Sequence, residues 1–229
     1  MTGVDWTEPA WRAVLERSGT GTGARVLDVG CGCGGFLAYC AGRGMVASGI
    51  DPDGDLVAVA CGEGLDVRTG EAEKVPWDDA TFDLTTAFNA LQFAEDTDEA
   101  LAEMVRVTRP GGHVAVANWA ERALNDVDAI ERALADGPPG PEGDLRLPGG
   151  LRGLLEDGGL TAVHEGLVDV PWEFADDDSL VSWIVGDGAP EVAVKVLAAV
   201  RPYRQNAEGY RLINRFRYAV GRRSPAVGR

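Results

Sequence analysis

The chain has 229 residues, 45% of them apolar and 25% charged, which suits one domain with a substantial core. Its 31 glycines and 12 prolines fall mostly between apolar runs, which excludes a collagen-like or wholly disordered chain. With 21 basic against 37 acidic residues the net charge is −16, a field that repels polyanions, so nucleic acid is not an expected partner.

The basic residues are unevenly placed, because residues 201–229 carry eight arginines against Glu208 alone. Their expected role is to compensate an acidic body, with Arg222, Arg223 and Arg229 as a solvated tail. No apolar run approaches the ~18 residues of a membrane span, and the opening Met-Thr-Gly-Val-Asp-Trp lacks the basic and apolar regions of a signal peptide. The expectation is a cytoplasmic chain without a membrane span. Cys31, Cys33, Cys40 and Cys61 are then expected as reduced thiols. Nothing in the sequence indicates the oligomeric state.

In chain order, Ala10, Trp11, Val14 and Leu15 recur at helical spacing behind Thr7 and Pro9, which predicts a short helical cap within residues 1–20. After a glycine-threonine break, Arg25 to Val29 reads as a buried strand. Then follow a helix from Phe36 to Arg43, a strand from Val46 to Ile50, a helix from Gly54 to Gly62 and strands from Leu65 to Thr69 and Phe82 to Phe88. A helix from Asp96 to Thr108 and a strand from His113 to Trp119 close this half. Strands alternating with helices mean βαβ units, a mostly parallel sheet and helices on both faces.

The second half is less regular. Residues 120–135 read as one helix and residues 136–143 as a turn-rich loop that either covers a pocket or only connects. Leu151 to Glu156 is a short helix, Leu160 to Val170 a strand, and Ser179 to Val185 and Glu191 to Val200 are helices. Period-two alternation from Leu212 to Val220 predicts a last strand, placed within 211–222. The whole is read as one domain, 1–229. Residues 25–119 form its regular half and residues 120–200 the less regular one.

The richest segment is Val26-Leu-Asp-Val-Gly30-Cys-Gly32-Cys-Gly34-Gly35, a strand that ends in Asp28 and four glycines before a helix. Glycines let backbone approach a ligand, and ligands of open α/β sheets bind at the carboxyl ends of strands. Gly30, Gly32 and Gly35 also satisfy G-x-G-x-x-G, so taken alone the loop fits a nicotinamide enzyme as well. Asp51 closes the next strand, where its carboxylate can accept both hydroxyls of a ribose; capping of the following helix by Asp51 or Asp53 is the competing reading.

Two further segments, Thr69-Gly-Glu-Ala-Glu-Lys-Val-Pro-Trp-Asp-Asp-Ala-Thr-Phe-Asp83 and Val107-Thr-Arg-Pro-Gly-Gly-His113, are unlike dehydrogenase segments. Together with the glycine loop and the strand-end acid, in order and spacing over residues 25–119, they resemble class I S-adenosylmethionine-dependent methyltransferases, in particular the small-molecule group called type 11. The resemblance implies a Rossmann-like, mostly parallel seven-stranded sheet with the last strand antiparallel, and S-adenosyl-L-methionine as cofactor.

By position, the resemblance implies that Asp28, Gly30, Gly32 and Gly34 hold the methionyl end, that Asp51 takes the ribose diol with Pro52 beside the adenine, and that Glu71 and Ala72 flank the adenine. Phe88, Asn89 and Gln92 would face the sulfonium and the acceptor, and the Arg109-Pro-Gly-Gly112 turn would be structural. Glu71 stands where the family usually has Asp, and Gln92 where it often has His. The second departure removes a candidate base, which leaves Asn89 and Gln92 as the only catalytic candidates.

No metal is expected, because Cys31 and Cys33 sit inside the glycine loop. His113 begins a strand at the end away from the ligand and His164 lies inside another, so both read as structural. Trp119, Trp6, Trp11, Trp172 and Trp183 either line an apolar acceptor site or pack under a lid. The function that results is methyl transfer to a small organic acceptor (phenol, quinone or natural-product-like) by in-line displacement, mainly through proximity and orientation. The alternatives are a cofactor-binding sensor or scaffold without transferase activity and, third, a nicotinamide-dependent dehydrogenase. The acceptor and the choice among C-, N- and O-methylation are not legible.

Overall fold

The computed structural model describes residues 6–225 apart from 136, 139, 187–189 and 206–208. The first five residues of the expected cap, two positions of the turn-rich loop, Glu208 and Arg229 therefore lie outside the described residues.

Helix α1 (Glu8–Ser18) starts after Thr7, with Pro9 in its first turn, where a missing N–H costs no hydrogen bond. There follow β1 (Arg25–Val29), α2 (Gly35–Ala41), β2 (Val46–Asp51), α3 (Gly54–Gly62), β3 (Asp66–Thr69), β4 (Phe82–Phe88), α4 (Thr97–Val107) and β5 (Thr108–Trp119). The second half adds α5 (Asp126–Leu134), α6 (Gly150–Asp157), β6 (Thr161–Phe174), α7 (Asp177–Val185), α8 (Pro190–Val200), β7 (Arg204–Gln205) and β8 (Gly209–Arg222).

The sheet runs β3-β2-β1-β4-β5-β8-β6, with β7 paired to β8 off this path. Strands β1 to β5 pair in parallel, while β8 runs antiparallel to β5, β6 and β7. The main path thus has the seven strands and antiparallel last strand expected. The two-residue β7 makes eight, a short hairpin that no periodicity could announce. Side chains alternate between the faces: Val26, Leu84, Ala115 and Ala117 join α1, α5 and α8 on one side, while Leu27, Val114 and Val116 join α4 and α6 on the other. Helix α1 packs on β5, β6 and β8.

Three stretches depart from the sequence reading. The helix expected over 120–135 is broken: Asn125 Nδ2 donates to the carbonyls of Ala120 and Glu121, and its Oδ1 accepts from Arg215 N. An Asn side chain that takes over backbone partners in this way stops helical continuation, and α5 begins only at Asp126. Strand β6 runs past Val170 to Phe174, since Pro171 sits on an edge strand, where the lost N–H is tolerated. Strand β5 begins early, at Thr108, through an irregular register in which Gly111 adopts φ 79°. There Arg109 Nε donates to Asp83 at 2.5 Å, which supports a structural role for this turn.

Candidate active site

The glycine loop after β1 is shaped by three left-handed residues, Gly30, Gly32 and Gly34, at φ 74°, 54° and 85°. A Cβ on Gly30 would collide with Ala90 and one on Gly34 with Leu65, whereas nothing approaches the same position on Gly32. Two of the glycines therefore serve close packing, and the middle one leaves room above the loop. The Gly32 amide donates to Asp51 Oδ2 at 2.7 Å, and Asp51 Oδ1 accepts from Asp53 N at 2.9 Å. Asp53, not Asp51, caps α3, by accepting from the amides of Asp55 and Leu56. Each Asp51 oxygen keeps a free lone pair toward the space in front of it.

That space is a cavity of about 440 Å³ at the carboxyl ends of β1, β2, β3 and β4. Of the residues expected from sequence, Gly30, Asp51, Pro52, Glu71, Ala72 and Asn89 line it. Asp28, Gly32, Gly34, Phe88 and Gln92 do not. Asp53, Glu73, Leu91 and Phe93 line it without having been anticipated. Its lining holds the carboxylates of Asp51, Asp53, Glu71 and Glu73 and no Arg, Lys or His, so its field is negative.

Asp28 sits behind the loop, buried, with Thr86 Oγ1 donating to its Oδ1 at 2.7 Å. Burial pushes its pKa up to about 7, against the Thr86 hydrogen bond, and the neighbouring Asp51 adds to the rise. Phe88 is partly buried and packs on Phe36 at 4.8 Å and on Trp11 at 6.5 Å, against the core.

Asn89, just past β4, adopts φ 51°, a conformation that Asn tolerates better than most residues. Gln92 Nε2 donates to its Oδ1 at 2.8 Å and to its carbonyl at 3.0 Å. Both residues line a second cavity of about 460 Å³, with Phe93, Asn118, Trp119 and Arg146. Asn89 and Phe93 line both cavities, so the two lie side by side at these residues.

A third cavity shares Trp119 and Arg146 with the second and is also lined by Trp172 and Trp183. Trp6 lies against both of these indoles, at 4.9 Å from each, and does not line the cavity. Trp11 is 5% exposed and packs on Phe36 and Tyr39, so it belongs to the core under α1. Arg146 was not anticipated, because it lies between the turn-rich loop of 136–143 and the helix from Leu151, where the sequence shows no periodic pattern. Its guanidinium donates to both oxygens of buried Asp128 and to the Ala120 carbonyl. Phe93 could have been found: it follows Gln92 directly, an unexplained aromatic 78% exposed.

His113 pairs with Leu84 and Arg222 at the opposite end of the sheet, where burial, Arg222 and Arg109 lower its pKa. His164 pairs with Val220 within β6. The four cysteines are free thiols, Cys31 and Cys40 buried and Cys33 and Cys61 exposed. Among the described residues, no helix is long and apolar enough to cross a membrane.

A cavity at the switch from β1 to β4, fed by strand-end acids, is where the fold would bind a small cofactor, and the family comparison addresses the same residues. A family model described as a methyltransferase domain matches residues 27–116. These residues belong to the methyltransferase-domain family. The domain is similar to the malonyl-[acyl-carrier protein] O-methyltransferase of Pectobacterium atrosepticum, 32% identical over 115 residues, which are 49% of this chain and 46% of that protein. It is also similar to the fatty-acid O-methyltransferase of Mycolicibacterium smegmatis, 34% identical over 122 residues, 51% of this chain and 44% of that protein. The matched part spans about half the length of each. In fold, the methyltransferase domain with its second half resembles the YcgJ protein of Bacillus subtilis, at a TM-score of 0.66 and 16% identity over 95% of this chain and 99% of that one. The family match ends before Trp119, so Arg146, Trp172 and Trp183 lie outside it.

Proposed function

We propose that the chain binds S-adenosyl-L-methionine in the acidic cavity and transfers its methyl group to a small organic acceptor that enters through the adjoining one. The observation that carries this reading is the set of four carboxylates around the first cavity with no cationic side chain beside them. A sulfonium cofactor suits that field. The pyrophosphate of a nicotinamide dinucleotide does not, which counts against the dehydrogenase reading.

In this reading Asp51 accepts the ribose hydroxyls with its remaining lone pairs, Pro52 and Ala72 flank the adenine, and the Glu71 carboxylate accepts from the adenine amino group. Gly30 and the open space at Gly32 leave room for the methionyl end, and Asp28 acts from behind the loop through its charge. When bound, the cofactor would supply an electrophilic methyl group for in-line displacement by the acceptor. Asn89, Gln92 and Phe93 would orient the acceptor and exclude water, while the acceptor's proton leaves to solvent. The names of the two curated relatives support oxygen as the accepting atom. Residues 25–119 would thus form the cofactor half, with 120–200 forming the acceptor side.

The test is isothermal titration with S-adenosylmethionine and S-adenosylhomocysteine, followed by transfer of labelled methyl to a panel of phenols, quinones, carboxylic acids and amines. Micromolar binding with transfer to at least one acceptor class is expected. Binding without transfer to any of them would favour the sensor or scaffold reading.

A further inference from the structure

The third cavity has a volume of about 710 Å³, larger than either the cofactor cavity or the one beside it. Three tryptophans from separate elements line it: Trp119 ends β5, Trp172 lies on β6 and Trp183 on α7. Trp119 and Trp172 meet at 83° and Trp172 and Trp183 at 70°, so the indoles stand at steep angles to one another, with Trp172 buried between its two neighbours' ring contacts and Trp183 exposed. Helix α5 also lines it, through partly buried Leu134 and buried Ile130. Trp183 is 45% exposed at the rim, so the space is a wide open slot and not a closed tunnel.

The charged groups at this slot are largely accounted for. Asp128 is held by Arg146, with Arg122 also within 3.6 Å, so neither Asp128 nor Arg146 offers a free charge to a ligand. Glu131 stands on the exposed side of α5. A volume of this size takes a ligand of drug dimensions, which one ring would fill only in small part. Faces and edges of planar rings pack well on perpendicular indoles.

We infer that the third cavity binds the body of a bulky, planar, multi-ring acceptor, which lies against Trp119, Trp172 and Trp183 while its nucleophilic edge reaches past Trp119 into the second cavity, toward Asn89 and Gln92. This rests on the proposed methyl transfer for the direction of the reacting edge, but the slot's preference for rings stands or falls by itself.

The experiment is isothermal titration of the full chain with phenol, 2-naphthol, hydroxyanthraquinone and hexadecanoate, each with and without S-adenosylhomocysteine. Two variants fill the slot from its solvent side, Ala135→Trp and Glu131→Trp, both at exposed positions that line it. Affinity should rise at least a hundredfold from phenol to hydroxyanthraquinone. The variants should remove at least tenfold for hydroxyanthraquinone and less than twofold for phenol and for S-adenosylhomocysteine. If one variant fails to fold, the other carries the test. Equal binding along the ring series, an unchanged hydroxyanthraquinone affinity in the variants, or tighter binding of hexadecanoate than of any ring compound overturns the inference. If the ring series behaves as expected but S-adenosylhomocysteine does not bind, it is the proposed cofactor that fails.

Discussion

The Gly32 amide donates a hydrogen bond to Asp51 Oδ2 at 2.7 Å and, with the Gly30 and Cys31 amides that donate to the Ile50 carbonyl, ties the loop after β1 to the end of β2. Loss of the Asp51 carboxylate therefore has two effects, removing an acceptor from the cavity and leaving the Gly32 amide without its partner in the loop that shapes it. Asp51→Ala should lose at least ~1.5 kcal/mol of S-adenosylhomocysteine affinity, about tenfold or more. Asp51→Asn, which can still accept from one amide, should lose less. Isothermal titration of the three proteins checks this, and unaltered affinity in Asp51→Ala would refute the assignment.

Asn89 and Gln92 bond to each other at the junction of two cavities, and neither is a strong base. If alignment carries the reaction, Asn89→Ala and Gln92→Ala should slow turnover about ten- to a hundredfold, against the 10² to 10⁴ typical of a lost general base. Acceptors acidic enough to ionise near neutrality should react fastest. A rate series against acceptor pKa, flat in the wild type and with one variant dead, would reveal a base elsewhere.

Asp28 is held protonated by burial up to a pKa of about 7. The folded state then keeps a proton that the unfolded chain has already released, so stability falls as pH rises from about 4 to about 7. Asp28→Asn should flatten that slope in urea titrations between these limits. A cation bound in the neighbouring cavity favours the ionised carboxyl, so wild-type affinity for S-adenosylmethionine should increase as pH rises through 7, and the Asn variant should lose this increase. Equal pH dependence in both proteins would count against the linkage.

Arg217 is 6% exposed on β8 and donates to Glu121 Oε2 at 2.7 Å, with Glu165 at 3.9 Å. Arg217→Ala leaves both carboxylates without this partner and should cost about 3 kcal/mol, read as a lower urea midpoint. Arg217→Ala at wild-type stability would show the pair to be solvated.

Two other arginines of β8 pair with carboxylates in more exposed positions, while Arg222, expected in a solvated tail, ends the strand and donates to the Gly111 carbonyl at 3.3 Å. Arg215 pairs with Asp169 at 2.8 Å and Arg211 with Glu173 at 3.4 Å, directly across the ladder with β6. With its cations so engaged, the chain should not retain duplex DNA or RNA at physiological salt. Sub-micromolar retention in a gel shift would overturn this.

What the sequence determined by itself is whatever local patterning encodes. The alternation of β-branched runs with helical stretches placed β1 to β4 within one residue of their observed bounds, because strand and helix periods are properties of neighbouring residues. The glycine loop and the acids at 51 and 71 were legible for the same reason: a strand end, a turn and a carboxylate follow one another along the chain. The tertiary structure decided what depends on contacts between distant segments. Asn125 breaks a helix because Arg215, ninety residues on, presents an amide to its side chain. Trp11 and Trp183 looked alike in sequence, yet α1 packs the first into the core and α7 leaves the second at the rim of a cavity. Arg146 lines two cavities only because Asp128, on α5, draws its guanidinium there. Local pattern states which face of an element is apolar, but what that face meets is settled by packing across the sheet.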